Sequence, residues 1–161
     1  MRIAIFGCGA LGTILGAYIE KNKGNCPLNL EEVDLFSRNK AHVEKLNNEG
    51  AKVVGFVNFQ QKVRAFLPEE INGKYKYIIL MTKVIENSKT VPFLKDYLQE
   101  DGAIITCQNG LPENEIASIV GKDRTLGCTV GWGATYQEPG VSKLPSSENK
   151  LTVDLGAISS G

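Results

Sequence analysis

The chain has 161 residues, 42% of them hydrophobic, and its 18 basic and 18 acidic side chains leave no net charge. That length is about one domain with a substantial core, and balanced charge with no predicted basic face argues against nucleic acid as a partner. The apolar runs are of strand length only, which excludes a membrane span, and a core strand begins at once with no signal-peptide architecture before it, so a cytoplasmic protein is expected.

Met1 to Phe6 reads as an apolar strand, and it runs without a spacer into Gly7-Cys8-Gly9-Ala10-Leu11-Gly12. A glycine-rich turn of this spacing, placed between a strand and a helix, is the fingerprint of a dinucleotide-binding domain. The first glycine allows the tight turn, the second lets a pyrophosphate approach the backbone, and the third lets helix and strand pack closely. Leu11, Ile14, Leu15 and Ile19 recur at helical spacing, which predicts a helix over about Ala10 to Lys21 whose N-terminal amides and dipole face the phosphates. A phosphate-binding loop of the Gly-Lys-Ser/Thr kind is excluded, because Thr13 follows Gly12.

Asn22 to Leu30 is polar and turn-forming and reads as a surface insertion. Val33 to Phe36 is the second strand, and Ser37 or Asn39 can cap a helix through Ala41, Val43 and Leu46 that stops at Gly50. Lys52 to Val57 and Lys62 to Phe66 suggest a short antiparallel hairpin or edge strands. Tyr77 to Met81 is a continuous apolar run, as in a parallel strand covered on both faces. Val91, Phe93, Leu94, Tyr97 and Leu98 predict a helix with Pro92 in its first turn. Ala103 to Cys107 is another buried strand, followed by a helix over Glu113 to Val120 between Pro112 and Gly121. Thr125 to Trp132, Val141 to Leu144 and Leu151 to Leu155 read as further strands, and the small residues from Gly156 to Gly161 have the character of a linker. Strands alternating with helices imply an α/β fold, doubly wound and Rossmann-type, with a mostly parallel sheet and antiparallel edge strands.

Cys8, Cys26, Cys107 and Cys128 include no C-x-x-C pair and have a single histidine to assist them, so no metal site is expected and the thiols should be free. That histidine, His42, lies among Asn39, Lys40 and Glu44 and reads as a surface residue. In an open α/β sheet, ligands bind beyond the carboxyl ends of the strands. Four such ends carry polar or glycine groups: the glycine turn, Ser37-Arg38, Thr82-Lys83 and Gln108-Asn109-Gly110. An arginine after the second strand suits a 2′-phosphate, so NADPH is the expected cofactor, whereas Asp34, the competing acid, lies inside the strand. Lys83 can swing its ammonium over a cofactor or a carboxylate substrate, and the Asn109 amide can donate and accept near a ribose or a carbonyl.

Ile3 to Gly12, Ser37-Arg38, Met81-Thr82-Lys83, Gln108-Asn109-Gly110-Leu111 and Gly133-Ala134 with Pro139-Gly140 follow the order seen in ketopantoate reductases, and the chain resembles the N-terminal domain of that family over nearly its whole length. The resemblance implies NADPH-dependent reduction of a 2-oxo acid, 2-dehydropantoate to pantoate, on the route to coenzyme A. Carried over by position, Gly7, Cys8, Gly9, Ala10, Leu11 and Gly12 would hold the pyrophosphate and Arg38, beside Ser37, the 2′-phosphate. Lys83, Asn109 and Ala134 would meet the nicotinamide end, with Asn109 also facing substrate. The family continues into a helical second domain that supplies a lysine acting on the ketone and an acid binding the substrate hydroxyl. Nothing in this chain corresponds to that domain, so residues 1–161 are expected to be the cofactor-binding part and to lack full activity, with a homodimer left open for the longer protein. The segment between Tyr18 and Glu32 is longer than in the family pattern. An opine-type or other 2-oxo-acid dehydrogenase, and a non-catalytic NAD(P)-sensing module, remain as alternatives that share the turn and the topology.

Overall fold

In the computed structural model, which describes residues 1–158, β1 (Arg2–Phe6) leads through the glycine turn into α1 (Ala10–Asn22). After a 3-10 turn over Lys23–Asn25 and a largely exposed connection, β2 (Glu32–Phe36) lies parallel to β1, with Ile5 beside Leu35. Helix α2 (Lys40–Glu49) is capped by Asn39, whose side chain accepts the His42 amide at 3.1 Å, and it stops at Gly50.

The runs around residues 52–66 part company rather than pairing with each other. β3 (Ala51–Gly55) makes its hairpin with β4 (Phe59–Gln61), while β5 (Arg64–Phe66) joins the main sheet as a parallel edge beside β2. The turn that reverses the chain falls before residue 59, so Phe59–Gln61 supplies the antiparallel partner of the hairpin alternative, while the 62–66 run takes the other one, an edge strand.

β6 (Tyr75–Leu80), α3 (Asn87–Lys95), β7 (Leu98–Thr106), α4 (Glu113–Val120) and β8 (Thr125–Val130) complete the winding. Helix α3 begins four residues before Val91, so Pro92 sits in its second turn, not its first. The proline removes the amide that would bond the Ser88 carbonyl, and Ser88 is exposed, so water can replace that donor. Leu98, expected to close that helix, opens β7 instead.

β9 (Thr135–Glu138), which the sequence did not suggest, pairs with β10 (Val141–Leu144), and β10 runs parallel to β3. Val141 to Leu144 thus belongs to a second, four-stranded sheet of order β4-β3-β10-β9. β11 (Val153–Ala157) pairs antiparallel with β8, so Gly156 and Ala157 are strand where a linker was expected; Ser159 to Gly161 lie outside the described residues.

The main sheet has the order β11-β8-β7-β6-β1-β2-β5, parallel apart from β11. Alternation along β1 sends Ile5 to one core, with Ile14, Leu35 and Leu46, and Ala4 and Phe6 to the other, with Leu94, Ile104 and Ile116. Both faces are therefore covered, as a continuous apolar strand requires. The winding direction reverses between β1 and β6, and a crevice opens at their carboxyl ends.

Candidate functional site: the switch-point crevice

Gly7 makes the turn possible. Its φ of +97° is one that side-chain-bearing residues avoid, and an added Cβ would stand 2.7 Å from the Thr82 nitrogen and 2.9 Å from the Met81 carbonyl carbon. The loop after β6 therefore rests directly on the backbone of the turn, and Met81 N–H donates to the Phe6 carbonyl at 2.8 Å.

The amides of the turn are unequally employed. Gly7 and Cys8 both donate to the Phe36 carbonyl, at 3.1 and 2.7 Å, and Gly9 donates to the Gly7 carbonyl at 2.9 Å. These bonds fix the turn against β2 and leave Gly7 and Cys8 to shape the site rather than to present donors. Ala10, Leu11 and Gly12, the first three residues of α1, have no partner for their N–H groups among the described residues, and the first turn carries no acidic side chain. Three free amides at the positive end of a thirteen-residue helix are suited to receive an anion. An added Cβ at Gly9 would find nothing within 4 Å, so the space over the turn is open to a ligand.

Two cavities meet at this turn and share Gly7, Gly9, Met81, Thr82 and Lys83. The first, about 510 Å³, runs over the end of β2 between Ser37-Arg38 and Phe93. The second, about 860 Å³, runs over Ala10 to Gly12 toward Asn109, Cys128 and Ala134. All eleven residues singled out in the sequence line one or the other. A dinucleotide has two halves joined by a diphosphate, and the crevice has two chambers joined at the glycine turn, with the free amides just inside the second.

Arg38 is 74% exposed and holds Glu86 at 2.7 Å across the mouth of the first chamber. Lys83 is exposed and has no carboxylate within ion-pair range among the described residues. Asn109 is exposed at the rim of the second chamber, and its side chain makes no hydrogen bond among the described residues. Asp34 is spent elsewhere. Only 1% exposed, it accepts from Arg2 at 2.9 Å and from the Tyr75 hydroxyl at 2.7 Å, and Arg64 Nε lies 3.0 Å from its second oxygen. It does not line the crevice.

Sequence reasoning missed a buttress behind the second chamber. The Gln108 amide donates to the Thr82 carbonyl at 2.7 Å and to Asn87 Oδ1 at 2.8 Å, and its own oxygen accepts from Asn87 at 3.0 Å and from Thr106 at 3.1 Å. It ties the loop carrying Lys83 to the loop carrying Asn109. Nothing local marks such a pair; only the position of Gln108 directly before Asn109 hinted at it.

His42 corrects a further expectation: it is 1% exposed, not on the surface. Helix α2 presents His42, Val43 and Leu46 to the core, and the Gly140 amide donates to the imidazole Nδ1 at 2.9 Å. Burial pulls the ring below its ordinary value of 6.5, so the folded protein holds it neutral. The unfolded chain takes up a proton near pH 6.5 while the native ring resists until lower pH, so stability present above that value is lost as pH falls toward the folded value. The melting temperature of the native chain should accordingly fall more steeply between about pH 7 and about pH 5 than that of His42→Gln, which has no such proton to take up. Parallel curves for the two proteins would refute this.

All four cysteines are free, and burial pushes the Cys8 thiol up to about 12, leaving it an inert part of the turn. Among the described residues no group of three or more His, Cys, Asp or Glu could hold a metal ion, and no helix is long and apolar enough to cross a membrane.

Sheet order, switch point and glycine turn define a Rossmann-type nucleotide-binding domain. Residues 3–158 match the family model of ketopantoate reductase PanE/ApbA, and the chain belongs to that family. It is 32% identical over 142 residues to the 2-dehydropantoate 2-reductase of Pyrococcus horikoshii and 33% identical over 148 residues to that of Pyrococcus abyssi. These alignments cover 88% and 89% of this chain but 43% and 44% of the relatives, so the chain spans under half their length. A 2-dehydropantoate 2-reductase from Geobacter metallireducens superposes with a TM-score of 0.79 at 27% identity, over 98% of this chain and 49% of that one. The fold is shared more widely: a D-mandelate dehydrogenase solved with NADH and anilino(oxo)acetate gives a TM-score of 0.81 at 24% identity, over 100% of this chain and 50% of that one.

Proposed function

We propose that this chain is the NADPH-binding part of a reductase acting on a 2-oxo acid, with 2-dehydropantoate as the substrate. The observation that carries the reading is the set of free amides at Ala10, Leu11 and Gly12 beneath the open face of Gly9, with Arg38 at the end of β2. Bound there, the coenzyme supplies the hydride. Family membership supports the substrate class.

The chain's own residues bind and orient. The α1 amides hold the diphosphate, and Arg38 meets the 2′-phosphate by exchanging Glu86 for it or sharing between them. Lys83 and Asn109 face the nicotinamide half, with Asn109 at the substrate side, and Ala134 closes the opposite wall without a polar group. Holding the reacting partners in register is itself a large part of catalysis. The lysine that acts on the ketone and the acid that binds the substrate hydroxyl, as the resemblance implies, lie in a second, helical domain. The full reaction therefore requires the longer protein, working in the cytoplasm on a small-molecule substrate.

Calorimetric titration of NADPH and NADH into the native chain and into Arg38→Ala tests the assignment. The variant should lose about 1.5–3 kcal/mol toward NADPH, the strength of a charge-assisted contact, and almost nothing toward NADH. Equal losses for the two coenzymes would remove Arg38 from the 2′-phosphate.

A further inference from the structure

A directed chain of hydrogen bonds leads from the second sheet to the glycine turn. It starts at Gly140, in the turn between β9 and β10, whose amide donates to His42 Nδ1 at 2.9 Å. An Nδ1 that accepts carries no hydrogen, so the proton of the neutral ring is on Nε2, which lies 3.0 Å from Thr13 Oγ1 and donates to it. The Thr13 hydroxyl has its own hydrogen left, and it donates to the Gly9 carbonyl at 2.6 Å. That carbonyl also accepts the Thr13 amide at 3.0 Å. The Cys8 thiol also lies 3.4 Å from Thr13 Oγ1, but with Gly140 donating to Nδ1 the hydrogen of the neutral ring can only sit on Nε2, which sets the direction of the relay.

Its end point matters because a trans peptide holds its C=O and N–H in opposite directions. Clamping the Gly9 carbonyl along α1 aims the Ala10 N–H away from the helix, into the crevice. Without the relay that peptide is held by the one bond from the Thr13 amide in the first turn of the helix. The other end of the relay serves the opposite wall: Gly140 follows β9, and β9 begins one residue after Ala134. Neither His42 nor Thr13 lines either chamber.

We propose that His42, acting through Thr13, is a positioning residue for the diphosphate-binding amides, locking the peptide between Gly9 and Ala10 to the β9–β10 turn. The proposal rests on the reading of the crevice as a dinucleotide site. It assigns the buried imidazole a task that core packing alone does not need.

The two arms of the ring can be separated. In His42→Gln the side-chain nitrogen replaces Nε2 and keeps the donor to Thr13; in His42→Asn the side-chain oxygen replaces Nδ1 and keeps only the acceptor for Gly140. Calorimetry with NADPH should place His42→Gln within about threefold of the native chain, and His42→Asn and Thr13→Val about tenfold weaker, the worth of one hydrogen bond. The two His42 variants should melt at similar temperatures, which a purely structural role would not reconcile with different affinities. Equal NADPH affinity for the Asn and Gln variants, or native affinity in Thr13→Val, overturns the proposal. Native protein that binds neither NADPH nor NADH overturns the dinucleotide reading itself. Nitrogen-15 NMR of the native imidazole gives a ligand-free readout that does not depend on any variant folding: the ring should be protonated at Nε2 and bare at Nδ1, and the opposite tautomer breaks the relay.

Discussion

Gly9→Val should abolish detectable binding of both NADPH and NADH while lowering the melting temperature by only about 2–4 °C, the cost of about 1 kcal/mol for a poorer helix N-cap in a domain of this size. The two halves of that expectation come from one geometric fact. A Cβ at Gly9 meets no protein atom within 4 Å, so the fold loses no packing and bears only the modest cost of a poorer N-cap for α1. The same empty space lies over Ala10, Leu11 and Gly12, where the diphosphate would rest, and branched carbons there hold an anion away from all three amides. Gly7→Ala is the control with the opposite signature. Its Cβ would sit 2.7 Å from a backbone nitrogen at φ +97°, so backbone must move, and the fold should lose about 2–4 kcal/mol. Two glycines two residues apart thus separate ligand approach from chain reversal. A Gly9→Val chain that titrates with NADPH like the native one would displace the diphosphate from this turn.

What was legible in the sequence was local. The strand, glycine turn and helix of residues 2–22 follow from contiguous patterns, as do the doubly covered strand at Tyr77 and the helix between Pro112 and Gly121. Their order alone places the carboxyl ends of β1, β2, β6 and β7 around one crevice, which is why all eleven residues singled out in the sequence fall along its walls. The second sheet was not legible, because β3 finds its parallel partner β10 across most of the chain and no periodicity encodes that pairing. β9 is exposed along its whole length and so lacks the apolar alternation that marks a half-buried strand.

His42 was misread for a related reason. Its neighbours Lys40, Ala41 and Glu44 are exposed and set the local impression, yet His42 stands four residues before Leu46 and so shares its helical face. A polar residue on the apolar stripe of a short helix is a signal that it has a buried partner, and here the partners are Thr13 and Gly140. Gln108 and Asn87 left no comparable signal. Each is an unremarkable amide until β6 and β7 pair in register and bring their loops together.

Asp34 separates stability from coenzyme choice. Asp34→Ala should destabilise the chain by about 3 kcal/mol, the lower end for breaking a buried ion pair, and lower its melting temperature by about 6–12 °C. The low end applies because the partners are not stranded. Arg2 and Arg64 remain 22% and 48% exposed, and both already bind Glu32, at 2.6 and 2.7 Å. The Tyr75 hydroxyl fares worst, since it is buried and Asp34 is its acceptor at 2.7 Å. Tyr75→Phe combined with Asp34→Ala should therefore cost less than the sum of the two single changes. Coenzyme preference should not change at all: a carboxylate buried inside β2 between two arginines and a phenol, and lining neither chamber, is out of reach of a ribose hydroxyl. If the Asp34→Ala chain, still folded at the titration temperature, lost affinity for NADH but not for NADPH, the acid would be reading the ribose, and Arg38 would be an ordinary surface arginine paired with Glu86.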